Sequence, residues 1–133
     1  MATKVLDAFA LMVFFQDESG AETVENLIQA AAQGDVDLAI CLINLGEIWY
    51  SISRKVSPER ADHYIQEIQS MAIEIVAPDW LLTRQAATYK ARGNISYADC
   101  FAAALAKTRG GLVVTGDREF KVLEDEVKVE WLT

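Results

Sequence analysis

Short runs of aliphatic and β-branched residues alternate along the chain with longer segments in which apolar residues recur at helical spacing. The short runs predict five strands, over residues 4–7, 36–42, 73–76, 112–115 and 127–132. The helical spacing predicts helices over residues 21–32, 60–71, 79–92 and 96–109, and a short helix over residues 118–123. Such alternation is typical of a parallel sheet that is covered by helices on both faces.

Turn and cap residues mark the ends of these predicted helices. Ser57 and Pro58 are N-cap and first-turn signals for the helix over residues 60–71. The pairs Gly93-Asn94 and Gly110-Gly111 end the last two long helices. No internal repeat, low-complexity tract or glycine-rich phosphate loop occurs in the sequence. The 133 residues match the usual size of one domain, so we predict a single domain over residues 1–133.

Composition places the chain among ordinary globular proteins, because 52% of its residues are hydrophobic and they are spread along the whole length. The opening Met-Ala-Thr-Lys is unlike a secretory signal, and no apolar run reaches the roughly 18 residues of a membrane span. We therefore expect a cytoplasmic protein without a membrane segment. Cys41 and Cys100 lack the paired spacing of zinc or redox sites, which predicts two buried free thiols.

The formal net charge of −8 disfavours binding to nucleic acid. It loses this meaning if several of the acidic residues are clustered around cations. Two bound Mg²⁺ ions, for example, would bring the net charge to −4.

Four acidic residues lie where a parallel sheet would collect them. Asp7 and Asp117 follow the first and fourth predicted strands. Glu47 lies near the start of the helix after the second strand, and Asp99 lies near the start of the helix that leads into the fourth. Parallel strands deliver their carboxyl ends to one edge of the sheet, and binding sites form outside that edge. We therefore expect these four side chains to converge.

Each acidic residue also has a purely structural interpretation. Asp7 could cap a helix that follows the first strand, and Asp117 could begin the short helix after the fourth. Asn44 and Ser96 each precede one of the other two acidic residues by three positions, which resembles a capping box. Capping and cation binding are compatible, because the positive end of a helix dipole favours nearby anions.

Four neighbouring carboxylates repel one another and take up protons unless a cation lies between them. An all-oxygen ligand set without cysteine or histidine suits Mg²⁺ or Mn²⁺. These ions promote phosphodiester hydrolysis by activating water and stabilising the leaving oxygen. The alternative route, attack by the RNA 2′-hydroxyl, often uses two histidines. Only His63 is present, and its place within a helix favours a surface or capping role.

Four segments, in this order, resemble the PIN-domain nucleases, and among them the VapC-like toxins of toxin–antitoxin pairs. They are Lys-Val-Leu-Asp7-Ala-Phe-Ala-Leu, Ile-Asn44-Leu-Gly-Glu47-Ile, Ile-Ser96-Tyr-Ala-Asp99-Cys-Phe-Ala-Ala-Ala-Leu-Ala and Val-Val-Thr115-Gly-Asp117-Arg-Glu-Phe. The resemblance covers essentially the whole chain.

The resemblance implies a PIN-like three-layer α/β/α sandwich with a central five-stranded parallel sheet. It implies an endoribonuclease that uses Mg²⁺, or Mn²⁺ in its place, and that cleaves an RNA substrate. The catalytic and metal-binding positions would be Asp7, Glu47, Asp99 and Asp117, with Asn44, Ser96 and Thr115 as supporting residues. It also implies homodimers, and the acidic cleft would suit a basic segment of a small antitoxin protein.

Four basic residues near the predicted site are candidates for contacts with RNA phosphates, namely Lys90, Arg92, Arg118 and Lys121. Trp49 and Tyr50 could stack on bases, but their helical context favours core or dimer contacts.

Two alternatives to a nuclease remain open at the level of sequence. The first is a PIN-like module that binds RNA or protein without cutting it. The second is a receiver domain or an aspartate-nucleophile phosphatase, which also combines a parallel sheet with Asp and Mg²⁺. It is disfavoured because the neighbouring acidic pair of a receiver is absent, and Asp7-Ala-Phe9 lacks the second aspartate of the phosphatases.

Overall fold

The computed structural model describes residues 2–133. Its strands are β1 Thr3–Leu6, β2 Asp37–Cys41, β3 Ile73–Val76, β4 Leu112–Thr115 and β5 Lys128–Trp131. Its α-helices are α1 Ala8–Phe15, α2 Ala21–Ala32, α3 Leu42–Lys55, α4 Pro58–Ser70, α5 Trp80–Ala91 and α6 Tyr97–Thr108. A 3₁₀ helix, Arg118–Leu123, lies between β4 and β5.

The five strands form one sheet in the order β3-β2-β1-β4-β5, and every neighbouring pair is parallel. The central strand β1 pairs with β2 on one side and with β4 on the other, so that Val5 lies between Ala39 and Val113. All five carboxyl ends therefore meet along one edge, with β1 in the middle. This confirms the predicted fold class.

Successive residues of the central strands face opposite sides of the sheet and belong to two separate cores. Val5 and Val113 contribute to the core beneath α5, α6 and the 3₁₀ helix. Leu6 and Val114, the next residues along, contribute to the core beneath α1 to α4. This two-residue alternation is the expected geometry of a strand, and it produces three layers.

The predicted elements are confirmed to within one or two residues, with one correction at the second strand. The prediction carried that strand to Leu42 and began the next helix at an Asn44 cap. In the structure the strand ends at Cys41, and α3 begins at Leu42. Asn44 lies inside the first turn of α3 and is fully buried, so it is not an N-cap residue.

Gly111 allows α6 to connect to β4 beside the central strand. A Cβ atom at this position would lie 1.8 Å from the carbonyl oxygen of Thr3, so only glycine fits here.

The two cysteines, Cys41 and Cys100, are both free and buried, as predicted. Within residues 2–133, no helix combines the length and apolarity that crossing a bilayer requires.

Candidate functional site

Asp7 lies at the centre of the carboxyl edge, directly after β1, and is almost completely buried, with 1% of its surface exposed. Its Oδ1 accepts a hydrogen bond from the backbone N–H of Ala10 at 2.9 Å, so Asp7 caps α1. Its Oδ2 accepts a hydrogen bond from the hydroxyl of Thr115 at the end of β4. Asp7 therefore has the structural role that the sequence suggested, and it is also tied to the neighbouring strand.

Thr115 connects Asp7 to Asp117. While its hydroxyl donates to Asp7, its Oγ1 accepts the backbone N–H of Asp117 at 2.9 Å. Asp117 in turn accepts the backbone N–H of Glu119 at 3.0 Å and caps the 3₁₀ helix. The expected supporting hydroxyl is thus placed between two of the carboxylates, where it fixes their separation.

Asp99 lies in the first turn of α6 and is buried. Ser96 caps this helix by accepting the backbone N–H of Asp99 at 3.2 Å, as the sequence suggested. The backbone N–H of Ser96 donates to Oε1 of Glu119 at 2.8 Å. A side chain from the 3₁₀ helix thus occupies the place that the fourth residue of a capping box would take. The Asp99 carboxylate is left available to the site.

Glu47 lies in the second turn of α3 and is half-buried. The Nδ2 group of Asn44 donates to the backbone carbonyl of Ala98 at 3.0 Å and makes a weaker contact of 3.4 Å with Oε1 of Glu47. Asn44 therefore connects α3 to the start of α6, which brings Glu47 and Asp99 to the same place. Asn44 is therefore not the cap that the sequence suggested, and its supporting role in the site stays a prediction.

The four predicted acidic residues act on one another electrostatically. The pKa of Asp7 is raised from 3.8 to about 7, mainly by burial and also by the charges of Asp117 and Glu47, which together outweigh the opposing hydrogen bonds from Thr115 and Ala10. The pKa of Asp99 is likewise raised from 3.8 to about 8, first by burial and then by repulsion from Asp117, Asp7 and Glu47.

Burial likewise raises the pKa of Glu47, and repulsion from Asp117 and Glu119 adds to that effect. The structure therefore brings all four predicted carboxylates together, and their shared repulsion favours the binding of protons or cations.

The donor set fits a hard divalent cation. One carboxylate oxygen from each of Asp99, Asp117 and Glu119 lies within 4.8 Å of the other two. Oxygen-only ligands at this spacing suit Mg²⁺ or Mn²⁺. Within residues 2–133, no lysine, arginine or histidine forms an ion pair with these residues, nor with Asp7 or Glu47. The negative charge is thus left for an ion to neutralise.

A groove of about 420 Å³ opens onto this cluster. Its walls come from α1 and α3, and Glu47, Asp99 and Asp117 lie on its surface. Arg54 and Lys55, from the last turn of α3, also line it. The groove thus places basic side chains within the same depression as the acidic cluster.

The structure does not support all four predicted RNA contacts equally. Lys90 donates to the backbone carbonyl of Ile95 at 2.8 Å, and Arg92 forms an ion pair with Asp125 at 3.0 Å, so both have partners within the chain. Arg118 and Lys121 are exposed, but they do not line the groove. All four RNA contacts stay predictions.

Sequence reasoning missed three residues of the site. Glu119 follows Asp117 by two positions, and this short spacing could have identified it as a further acidic residue of the site. Its hydrogen bond with Ser96, by contrast, depends on tertiary structure. Arg54 and Lys55 follow Glu47 by seven and eight positions, which places them on the same face of a helix. That spacing could have identified them.

Three other expectations concern aromatic and histidine side chains. Trp49 and Tyr50 are 37% and 47% exposed, so they are not core residues, and their role as dimer contacts stays a prediction. The indole N–H of Trp49 donates to Asp62 at 2.9 Å, on the neighbouring helix. His63 is exposed and pairs with Glu67 at 2.9 Å, as expected of a surface residue.

Three solved structures show how widely this fold is shared. VapBC2 from Rickettsia felis, bound to a DNA fragment from its promoter, aligns with a TM-score of 0.73 at 18% identity, covering 98% of this chain and 99% of the other. DNA-bound VapBC from Salmonella typhimurium aligns with a TM-score of 0.73 at 23% identity, covering 98% of both chains.

VapC20 from Mycobacterium tuberculosis, described as a Sarcin-Ricin loop cleaving toxin, aligns with a TM-score of 0.70 at 16% identity, covering 90% of this chain and 93% of the other. These likenesses concern the fold. No curated protein matches the sequence significantly.

The family model for the PIN domain matches residues 4–126, a span that contains all four predicted acidic residues. Since this match covers most of the chain and agrees with the observed sheet topology, the protein is a member of the PIN domain family.

Proposed function

We propose that this protein is a Mg²⁺- or Mn²⁺-dependent endoribonuclease and the toxin of a toxin–antitoxin pair. The observation that carries the proposal is the convergence of Asp7, Glu47, Asp99 and Asp117 at one edge of the sheet, where none of them forms an ion pair with a basic residue of the described part of the chain. Membership of the PIN domain family supports a nuclease. The similarity in fold to VapBC2 and to VapC20, which is described as a Sarcin-Ricin loop cleaving toxin, supports the toxin assignment.

The residues of the site would divide the work between holding a cation and positioning one another. Asp99, Asp117 and Glu119 have oxygens close enough to share one ion. Asp7 lies behind them and is held by Thr115. Glu47 lies on the groove wall, where a carboxylate can accept a proton from a water molecule or hold a second cation.

A bound Mg²⁺ or Mn²⁺ would supply a water of lowered pKa and would stabilise negative charge on the leaving oxygen. The groove between α1 and α3 would position the scissile phosphate, because it is where the acidic cluster is open to solvent. Without a cation, the same carboxylates would repel the phosphate.

The proposal is tested by incubating the wild-type protein and Asp7→Asn with a panel of cellular RNAs in Mg²⁺, in Mn²⁺ and in chelator. Asp37→Asn is a matched control, because this exposed aspartate begins β2 at the opposite edge of the sheet. We expect cleavage by the wild type and by Asp37→Asn in either metal, and none by Asp7→Asn or in chelator. Equal cleavage by all three proteins would refute the proposal, and a folded protein that binds no metal would favour a non-cutting RNA- or protein-binding module.

The proposed partners are a small antitoxin with a basic segment and a second copy of this chain. An arginine or lysine side chain entering the groove would neutralise the same carboxylates that a metal would. Co-purification with the antitoxin should therefore suppress RNA cleavage, and full activity in a stable complex would contradict this. Light scattering on the purified protein tests the homodimer.

A further inference from the structure

The groove beside the acidic cluster contains two features that the proposed nuclease site does not use. One is the side chain of Phe9, an apolar ring that lines the groove and has 41% of its surface exposed. The other is the pair Arg54 and Lys55 on the opposite wall. Both features have the chemistry of contacts to a nucleic acid strand: an aromatic ring for a base and cations for phosphates.

The ring of Phe9 packs closely against Gly116. If Gly116 carried a Cβ atom, that atom would lie only 2.4 Å from Cε1 and 2.8 Å from Cζ of the ring. The ring therefore packs one edge against the backbone between Thr115 and Asp117, which places it next to the carboxylate cluster. Phe9 also lies in the first turn of α1, the helix that Asp7 caps. An exposed aromatic ring in this position could contact a base whose neighbouring phosphate lies at the cluster.

Arg54 and Lys55 lie farther along the same groove. They are seven and eight residues after Glu47 in α3, a distance of roughly 10 to 12 Å along the helix axis. Ser51, one turn after Glu47, also lines the groove and continues the same face. The distance separates the basic pair from Glu47, and Glu18 is a further charged residue of the lining.

Both basic side chains are available to a ligand. Within residues 2–133, neither forms an ion pair. The guanidinium of Arg54 lies 5.2 Å from the centre of the Tyr50 ring, and a contact with a ring face does not use its N–H groups as hydrogen-bond donors. Attraction to the helix dipole explains basic residues in the last turn of α3, but it does not explain why they face the groove.

We infer that Phe9, Arg54 and Lys55 bind the RNA strand beside the acidic cluster, with one base stacked on Phe9 and a phosphate farther along the single strand held by Arg54 and Lys55. This inference rests on the proposed function and names the side chains that would recognise its substrate. The bases of a duplex are already stacked on one another, so a ring in a groove can stack only on a base that is splayed out. The basic pair also explains how a chain with a net charge of −8 could attract RNA to an acidic site.

The test measures binding and cleavage separately. Binding is followed by fluorescence anisotropy with a labelled single-stranded RNA of mixed sequence, in Mg²⁺ and in the Asp7→Asn background, which blocks turnover without changing a residue that lines the groove. Phe9→Leu should weaken binding by about fivefold or more, as expected for one lost stacking contact. Arg54→Gln with Lys55→Gln should weaken binding and reduce the slope of log K against log salt by about 1.4.

Conservative and distant variants separate recognition from a general effect on folding. Phe9→Tyr keeps an aromatic ring and should bind within about twofold of the parent protein. Trp80→Leu removes an exposed aromatic residue outside the groove, and Lys128→Gln removes an exposed lysine from the opposite edge of the sheet. Both should bind like the parent, and all variants should keep its thermal unfolding temperature. The same RNA as a duplex should bind less tightly.

Steady-state cleavage by the groove variants in the otherwise wild-type protein distinguishes the two proposals. We expect a higher KM with kcat little changed. The inference would be overturned if Phe9→Leu and the Arg54→Gln/Lys55→Gln double variant cleaved RNA with unaltered KM and bound it with unaltered affinity. Equal affinity for the duplex would also overturn it. Either result would leave the nuclease proposal standing. Loss of binding in these variants, in a protein that never cleaves RNA, would support the inference and overturn the nuclease proposal. A parent protein that binds no RNA would overturn both.

Discussion

Replacing Asp7 with asparagine should stabilise the metal-free protein at alkaline pH while removing its activity. Burial raises the pKa of Asp7 from 3.8 to about 7, so the ionised form is unfavourable in the folded state. Between those two pH values the native protein holds one proton more than the unfolded chain does. The free energy of unfolding therefore decreases as pH rises, and this loss is complete above about pH 7.

The size of this effect follows from the shift in pKa. Each pKa unit corresponds to about 1.4 kcal/mol, so the ionised Asp7 lowers the free energy of unfolding by about 4 kcal/mol. Asparagine does not ionise, and its Oδ1 can still accept the N–H of Ala10. In the variant the NH₂ group of asparagine, instead of Oδ2, faces the Thr115 hydroxyl. Loss of this hydrogen bond lowers the free energy of unfolding by about 1 kcal/mol. Asp7→Asn should therefore be about 3 kcal/mol more stable than the wild type at about pH 8.

The two proteins should change order as the pH falls. At about pH 4 Asp7 is protonated in the folded protein, so most of the free-energy cost of burying its charge is absent. The variant should then be about as stable as the wild type or about 1 kcal/mol less stable. Urea unfolding followed by circular dichroism, in chelator at both pH values, measures the difference. A stability difference that is independent of pH, or a variant that is less stable at pH 8, would refute the assignment of Asp7 as a buried, strained carboxylate. Adding Mg²⁺ at pH 8 should stabilise the wild type more than the variant.

Three further substitutions test other parts of the account. Thr115→Val removes the hydroxyl that lowers the pKa of Asp7, and we expect a loss of about 2 kcal/mol in urea unfolding and a still higher pKa for Asp7, measured by NMR titration. Gly111→Ala places a Cβ atom 1.8 Å from the Thr3 carbonyl oxygen and should reduce the free energy of unfolding by about 3 kcal/mol or more in the same assay. Glu119→Gln should weaken Mn²⁺ binding about tenfold in calorimetry with little change in stability, because the amide oxygen can still accept the same backbone N–H.

Each of these substitutions has a control or a contradicting result. Thr115→Ser keeps the hydroxyl and should restore the Asp7 pKa. Gly46→Ala adds a methyl group where nothing lies within 4 Å, inside α3, and should be neutral or stabilising by up to about 1 kcal/mol. A Gly111→Ala protein as stable as Gly46→Ala would show that the close approach to β1 is wrong. Unchanged Mn²⁺ affinity in Glu119→Gln would remove this residue from the ligand set.

The sequence predicted the sheet, the helices and the four acidic residues because those features depend on local pattern and on one topological rule. Asp7 and Asp117 directly follow strands, and all parallel strands end at one edge. The capping interpretations were correct for Asp7, Asp117 and Ser96, and they coexist with convergence of the carboxylates. Local and tertiary roles thus agree at these positions, which made the prediction robust.

The errors arose where contacts between distant segments decide the structure. Asn44 looked like a cap because a Glu follows three residues later, but it is buried in the first turn and bonds to the backbone of Ala98. The sequence also did not reveal that Arg92, whose contact with RNA stays a prediction, pairs with Asp125 more than thirty positions away. No spacing in the sequence reports such a pairing. Arg54 was missed for a different reason: its helical register was readable, but the groove that it lines is formed only when α1 packs beside α3.

The central claim is that distant carboxylates converge to hold a divalent cation. It is tested most directly by a crystal structure of the protein soaked in Mn²⁺, with anomalous diffraction data to locate the ions. We predict an anomalous peak roughly 2.0 to 2.3 Å from oxygens of Asp99 and Asp117. A crystal saturated with Mn²⁺ that shows no peak at this edge of the sheet, with the carboxylates placed as described here, would contradict the account.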